Sequence, residues 1–275
     1  MKGRQMTLAD VRRVTVVGGY GKADQKEPVA QVEFAMGQVV SVVGPTGSGK
    51  TALINDIELF ANLNTPSRRK VLLDGTTIPM EIMDDPSRNP VSLITQHTNF
   101  LSDLPVRTFL DLHARIRKRD GAASVVEETL DFANQLTGEA IIPDSAMTEL
   151  SGGQTRALLI ADAVVIGDAP ILLLDELENA GIHRTRALEL LRNYRKIFLF
   201  VTHDPRIALL SDLRIVMGSG AMQKVIVTDE EEKAVAKEIQ RIDDMMLGLR
   251  KRLWDGEQIA ARELETGPGI RVSQS

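Results

Sequence analysis

Residues 39–51 read Val39-Val40-Ser41-Val42-Val43-Gly44-Pro45-Thr46-Gly47-Ser48-Gly49-Lys50-Thr51, an apolar run that turns straight into a glycine-rich loop ending in lysine and threonine. The apolar part is expected to form a buried strand, and Ala52 to Ala61 the helix after the loop. Glycine lets backbone N–H groups turn inward around phosphate oxygens without a Cβ clash. Lys50 would reach the β and γ phosphates, the Thr51 hydroxyl would ligate Mg2+, and the helix would add the positive end of its dipole. Gly44, Pro45, Thr46, Gly47, Ser48, Gly49, Lys50 and Thr51 are therefore candidate nucleotide-binding residues. A glycine turn without a ligand is the competing explanation, and the strand and helix around the loop count against it.

A second nucleotide element is Ile171-Leu172-Leu173-Leu174-Asp175-Glu176. A wholly apolar run ending in acids is how a central parallel strand delivers carboxylates to the carboxyl edge of a sheet. Asp175 suits Mg2+ held through water, and Glu176 suits polarising the attacking water. Between the two elements stands Leu150-Ser151-Gly152-Gly153-Gln154. Two adjacent glycines before the helical run Thr155 to Val165 make another helix N-terminus, suited to a γ-phosphate. The tetrapeptide alone reads first as a plain N-cap turn, but the chain already has one such site and the position between the two nucleotide elements leads to the expectation that this one serves a partner's ATP.

Together these motifs resemble those of ATP-binding cassette (ABC) ATPases, over roughly residues 7 to 220. The resemblance implies an α/β fold of the phosphate-loop type, with a largely parallel central sheet flanked by helices, an antiparallel β layer and an inserted helical subdomain. It implies that Gln96, after the strand-like Val91-Ser92-Leu93-Ile94-Thr95, touches Mg2+ and water and reports to a partner. His203, after the apolar strand Lys196 to Val201, would contact the γ-phosphate. Tyr20, in Gly18-Gly19-Tyr20-Gly21, stands where relatives often stack an aromatic on adenine; a surface turn residue is the alternative. Catalysis would thus rest on Glu176, His203, Gln96 and Lys50, with metal contacts from Thr51, Gln96 and Asp175.

The chain also departs from that pattern. Leu177 replaces the proline that most relatives carry after the acid pair, and aligning Ala180-Gly181-Ile182 with the usual turn puts His183 where an interface aspartate is expected. That histidine reads either as a solvated helix start or as a pH-sensitive element of exchange between two sites.

With 275 residues and 43% apolar content the chain can bury a sizeable core. It has no cysteine, which excludes disulfides, iron–sulfur ligation and thiol catalysis. Its apolar runs fall short of the roughly 20 residues that span a bilayer, and Met1-Lys2-Gly3-Arg4-Gln5 does not open a signal sequence. A net charge of −5 argues against a general nucleic-acid binder, and the basic runs at 115–119 and 250–252 have acids nearby.

The expected organisation is an ATPase domain over residues 1–227, with the helical subdomain at about 97–152. Helices are expected there over Val106 to Lys118 and Ser124 to Leu136. Phe100, Leu101 and Leu104 either dock a partner or fill the subdomain's own core. Residues 228–265 form a C-terminal amphipathic helix: Thr228-Asp229-Glu230-Glu231 reads as its capping box, and Val235, Ile239, Ile242, Met246, Leu249 and Leu253 follow at alternating spacings of four and three. That seam packs on its own domain or pairs with another helix. Residues 266–275 read as a disordered tail.

The resemblance implies an ATPase using ATP and Mg2+ that pairs with a second copy of itself around two ATP molecules. It would drive a multi-span membrane subunit from the cytoplasmic face. A soluble ATPase that remodels or assembles another macromolecule is the alternative.

Overall fold

The computed structural model describes residues 11–78, 82, 88–95, 97–117, 121–175 and 184–259. Gln96, Glu176, His183 and the tail at 266–275 lie outside them. The chain divides into two compact units, Met1–Thr228 and Asp229–Ser275.

Among the described residues the first unit holds two sheets. The smaller is antiparallel, in the order β2 (Gln31–Ala35), β1 (Arg13–Val17), β4 (Lys70–Leu73). The larger runs β5 (Val91–Ile94), β6 (Ile171–Asp175), β7 (Ile197–Val201), β3 (Val39–Val43), β8 (Leu213–Gly218), β9 (Ala221–Val227). Its first five strands are parallel and β9 closes it antiparallel to β8. The expected mixed, mostly parallel sheet with an antiparallel layer is therefore present.

The unbroken apolar strands follow from burial on both faces, because side chains alternate across a sheet. Leu172, Leu174, Phe198 and Phe200 face a core shared with the helical insertion and the helices beside it. Ile171, Leu173, Ile197 and Leu199 face a second core containing Leu53, Ile54 and Ile57 of helix α1 (Lys50–Glu58) and Val14, Val16 and Phe34 of the small sheet.

The helical insertion comprises α2 (Val106–Arg117) and α3 (Ala122–Leu136) and leads into α4 (Gly152–Ala161). The helix expected from Thr155 to Val165 starts earlier and changes character: after Ala161 it widens into a π-helix over Asp162–Ile166. Lys196 Nζ donates to Ala163 O, Gly167 O and Ala169 O at 3.3, 2.7 and 2.9 Å, satisfying carbonyls at the close of that wide turn. Phe100 packs edge-on to Phe109 at 5.1 Å against the subdomain core, whereas Leu101 and Leu104 are exposed. Phe100 thus takes the core role of the two left open by the sequence. After β6 come α5 (Arg184–Leu191) and α6 (Pro205–Leu210).

The second unit is the helix α7 (Glu230–Trp254). Its N-cap is Asp229 rather than Thr228: the Asp229 carboxylate accepts from Glu232 N at 2.8 Å. Three glutamates in the first turn and Lys251 with Arg252 in the last complement the helix dipole. Of the six seam residues, Val235, Ile242, Met246 and Leu253 are exposed.

Candidate functional site

The ends of β3, β7 and β6 are level. Val201 pairs with Val42 on one side and with Asp175 on the other, so the loop after Val43, the turn after Val201 and the Asp175 carboxylate open onto one edge of the sheet. That edge is where open parallel α/β sheets carry their ligands.

The loop itself is built by glycines in conformations other residues resist. Gly44, Gly47 and Gly49 have φ of +153°, +75° and +99°. A Cβ on Gly44 would lie 2.4 Å from Met217 O, and one on Gly49 2.7 Å from Gly220 Cα. The turn at Gly220 holds the loop from outside, donating its N–H to Ser48 O at 2.8 Å. Helix α1 begins at Lys50, two residues earlier than its apolar pattern suggests, because the left-handed Gly49 serves as its N-cap with no side chain capping it. Its first N–H groups are thus directed into the loop.

Lys50 is buried at 7% exposure. Its ammonium donates to Gly44 O at 2.8 Å and to Pro45 O at 3.2 Å, and no carboxylate pairs with it among the described residues. An ammonium has three N–H donors, so one remains after these two bonds. Ser48 Oγ is also buried in this loop, without a hydrogen-bond partner among the described residues. A buried cation balanced, among the described residues, by carbonyls, beside an unsatisfied hydroxyl and a helix N-terminus, has the chemistry that suits a phosphate chain.

His203 is exposed and, with Val43, Gly44, Thr202 and Asp204, lines a cavity of about 360 Å3 beside the loop. Asp204 fixes that turn: it accepts from Arg206 N at 2.8 Å as the cap of α6, and from the Arg206 guanidinium at 2.6 Å. Tyr20 is half-buried, its N–H donating to Ser67 O at 2.7 Å. Arg68 lies over its ring at 4.9 Å, a cation–π contact that no sequence pattern announced. Lys22 is a second residue missed by motif reading; its ammonium donates to Gly47 O.

Ser151 is the N-cap of α4 and forms a capping box with Gln154. Ser151 N donates to Gln154 Oε1 at 2.9 Å, Gln154 N to Ser151 Oγ at 3.3 Å, and Gln154 Nε2 reaches Ala140 O at 3.2 Å. These bonds are those of the plain N-cap turn. A Cβ on Gly152 would meet nothing within 4 Å, so packing inside the subunit does not demand glycine there. Among the described residues, no helix is long and apolar enough to cross a membrane, and no group of three or more histidines, cysteines or carboxylates could hold a metal ion.

Fold and site together define a nucleoside-triphosphatase of the phosphate-loop class. The family profile described as ABC transporter matches residues 29–179, and the chain belongs to that family, as its ATP-binding and ATP-hydrolysing cassette. An uncharacterized ABC transporter ATP-binding protein of Methanocaldococcus jannaschii is 45% identical over 257 residues, covering 93% of this chain and 97% of that relative. The thiamine import ATP-binding protein ThiQ of Mesorhizobium japonicum is 32% identical over 210 residues, covering 71% and 75%. Among solved structures, cbiO1 from Clostridium perfringens, part of the ABC transporter complex cbiONQ, matches with a TM-score of 0.60 at 22% identity, covering 90% of this chain and 100% of that one. The dimeric post-hydrolysis structure of an ATP-binding cassette bound to ADP and phosphate matches with a TM-score of 0.56 at 20% identity, covering 78% and 99%. At those identities the two structures speak to the fold.

Proposed function

We propose that two copies of this chain close around two ATP molecules, each held by the phosphate loop of one copy and Ser151-Gly152-Gly153 of the other. Together they would drive a multi-span membrane subunit from its cytoplasmic side. The observation that carries the reading is the exposed N-terminus of α4, where Gly152 has open space around it. A glycine that nothing within the subunit requires is accounted for by close approach of a second molecule, and a helix N-terminus attracts a γ-phosphate. Relatives named for thiamine import and macrolide export support a membrane partner over a soluble target. The exposed Leu101, Leu104, Leu112 and Ile116 of the helical insertion offer that partner an apolar surface.

In this reading Tyr20 stacks on adenine, while Gly44 to Gly49 wrap the phosphates with inward N–H groups. Lys50 keeps its bonds to Gly44 O and Pro45 O and turns its third N–H to the γ-phosphate. Ser48 Oγ donates to a phosphate oxygen. Glu176 orients the attacking water and accepts its proton, and His203, on the rim beside Gly44, contacts the γ-phosphate. Gln96 would contact Mg2+ and water and report to the partner, as the family pattern implies.

The donors fit Mg2+. Asp175 offers a carboxylate at the sheet edge and Thr51 a hydroxyl in the first turn of α1, Gln96 would add a further oxygen, and this hard cation takes few protein ligands and completes its shell with phosphate oxygens and water. When bound, it neutralises charge on the β- and γ-phosphate oxygens.

Purification of the Glu176→Gln protein with ATP, from detergent-solubilised membranes and from the soluble fraction, tests the reading. A stoichiometric multi-span protein is expected; a soluble enzyme or assembly factor alone would replace it with the remodelling alternative.

A further inference from the structure

Arg69 is fully buried, with 0% exposure, a rare place for a guanidinium. Its Nη2 lies 2.5 Å from Glu27 Oε1 and its Nη1 2.7 Å from Asp56 Oδ2, and both carboxylates are buried too. Burial works against the charge, but hydrogen bonds and attraction from Glu27 and then Asp56 more than offset it and hold its pKa above the ordinary value. Buried ion pairs seldom add net stability over an apolar core of the same shape, so the cluster calls for another explanation.

That explanation lies in what the three residues grip. Glu27 Oε2 accepts from Gly19 N at 2.9 Å, and Glu27 N donates to Gly19 O at 3.0 Å, so Glu27 clamps the turn that presents Tyr20. Asp56 sits on α1, the helix that starts from the phosphate loop. Arg69 Nη2 also donates to Gly220 O at 2.8 Å, and the same Gly220 holds Ser48 of the loop. The tolerance is small, since a Cβ on Gly19 would fall 2.0 Å from Ser67 O.

We infer that Arg69 is a positioning residue that sets the distance between the Tyr20 turn and the phosphate loop, so that the base and phosphate ends of ATP bind as one unit. The inference rests on Tyr20 as the adenine platform. A planar fork with five donors can hold Glu27, Asp56 and Gly220 O together; an ammonium is a point charge and cannot.

The test compares affinity for ATP with affinity for inorganic tripolyphosphate, by calorimetry without hydrolysis, in wild type, Arg69→Lys, Tyr20→Ala and the double variant. Because base stacking on an aromatic ring supplies the preference, Arg69→Lys is expected to lower the ratio of the two affinities by about tenfold, with tripolyphosphate binding little changed. In the Tyr20→Ala background the lysine should have no further effect. A wild-type ratio in Arg69→Lys, or an equal loss for both ligands, would mean that only buried charge balance matters and overturns the inference. If Tyr20→Ala leaves the ratio intact, the adenine assignment fails instead. Should Arg69→Lys not fold, Glu27→Gln keeps the shape and weakens the clamp; a wild-type ratio there overturns the inference equally.

Discussion

The Lys22 ammonium donates to Gly47 O at 2.7 Å, so a residue two places beyond Tyr20 is held against the middle of the phosphate loop. Its own N–H bonds Ser219 O at 2.9 Å, which braces the stem. A cation there would attract a triphosphate bound by this loop in the ground state and the transition state alike. Lys22→Ala should therefore weaken ATP and ADP equally, by about fivefold, with kcat unchanged and a deficit that shrinks as salt rises. Titration calorimetry and steady-state kinetics check this; a lowered kcat at unchanged KM would contradict it.

Lys50→Met should separate activity from stability. Lys50 is buried, sits at a helix N-terminus whose dipole opposes its charge, and is balanced among the described residues by carbonyls. Removing that charge is expected to leave Tm equal or higher while hydrolysis falls more than about 100-fold. A Tm lowered by several degrees would show that the ammonium supports the fold.

Two glycines should respond in opposite ways. Gly49→Ala forces a Cβ to 2.7 Å from Gly220 Cα at φ +99°, so it should cost about 1–3 kcal/mol in denaturant unfolding and abolish nucleotide binding. Gly152→Ala meets open space, so unfolding of the single subunit should change by less than about 0.5 kcal/mol while ATP-driven pairing is lost. Equal behaviour of the two variants would remove the argument for a partner at Gly152.

Tyr194 gives a pH test. Burial, and then its hydrogen bond to Glu128 at 2.9 Å, push the phenol well above its ordinary value of 10.0. Because the folded value is the raised one, this stabilisation is complete below pH 10 and is lost as pH climbs toward the folded value. Tyr194→Phe should thus cost about 1 kcal/mol at neutral pH and flatten the alkaline decline in stability. Phenolate absorbance rising for this residue while the fold is intact near pH 10 would contradict the shift.

What could be read in the sequence was the part written in local pattern. Ile171 to Leu174 is buried on both faces of the sheet, and burial of that kind leaves an uninterrupted apolar run. The loop at Gly44 to Thr51 shows its glycines because three of them need positive φ. Boundaries set by backbone geometry were less legible: α1 starts at Lys50 through a left-handed Gly49, and α7 is capped by Asp229 because its carboxylate, one residue later than Thr228, reaches Glu232 N. The π-helix at Asp162–Ile166 had no sequence signature; Lys196, some thirty residues on, donates to its Ala163 carbonyl and to those of Gly167 and Ala169 just beyond it. Glu27, Asp56 and Arg69 stayed hidden for the same reason, being charges 13 and 42 positions apart that only the fold unites.

ATP-dependent pairing is the central claim, and sedimentation of the Glu176→Gln protein with and without Mg2+ and ATP addresses it most directly. A monomer that becomes a stable dimer only with ATP, and fails to do so when Gly152→Ala is added, is the predicted result. A protein that stays monomeric at high concentration with saturating ATP would contradict it.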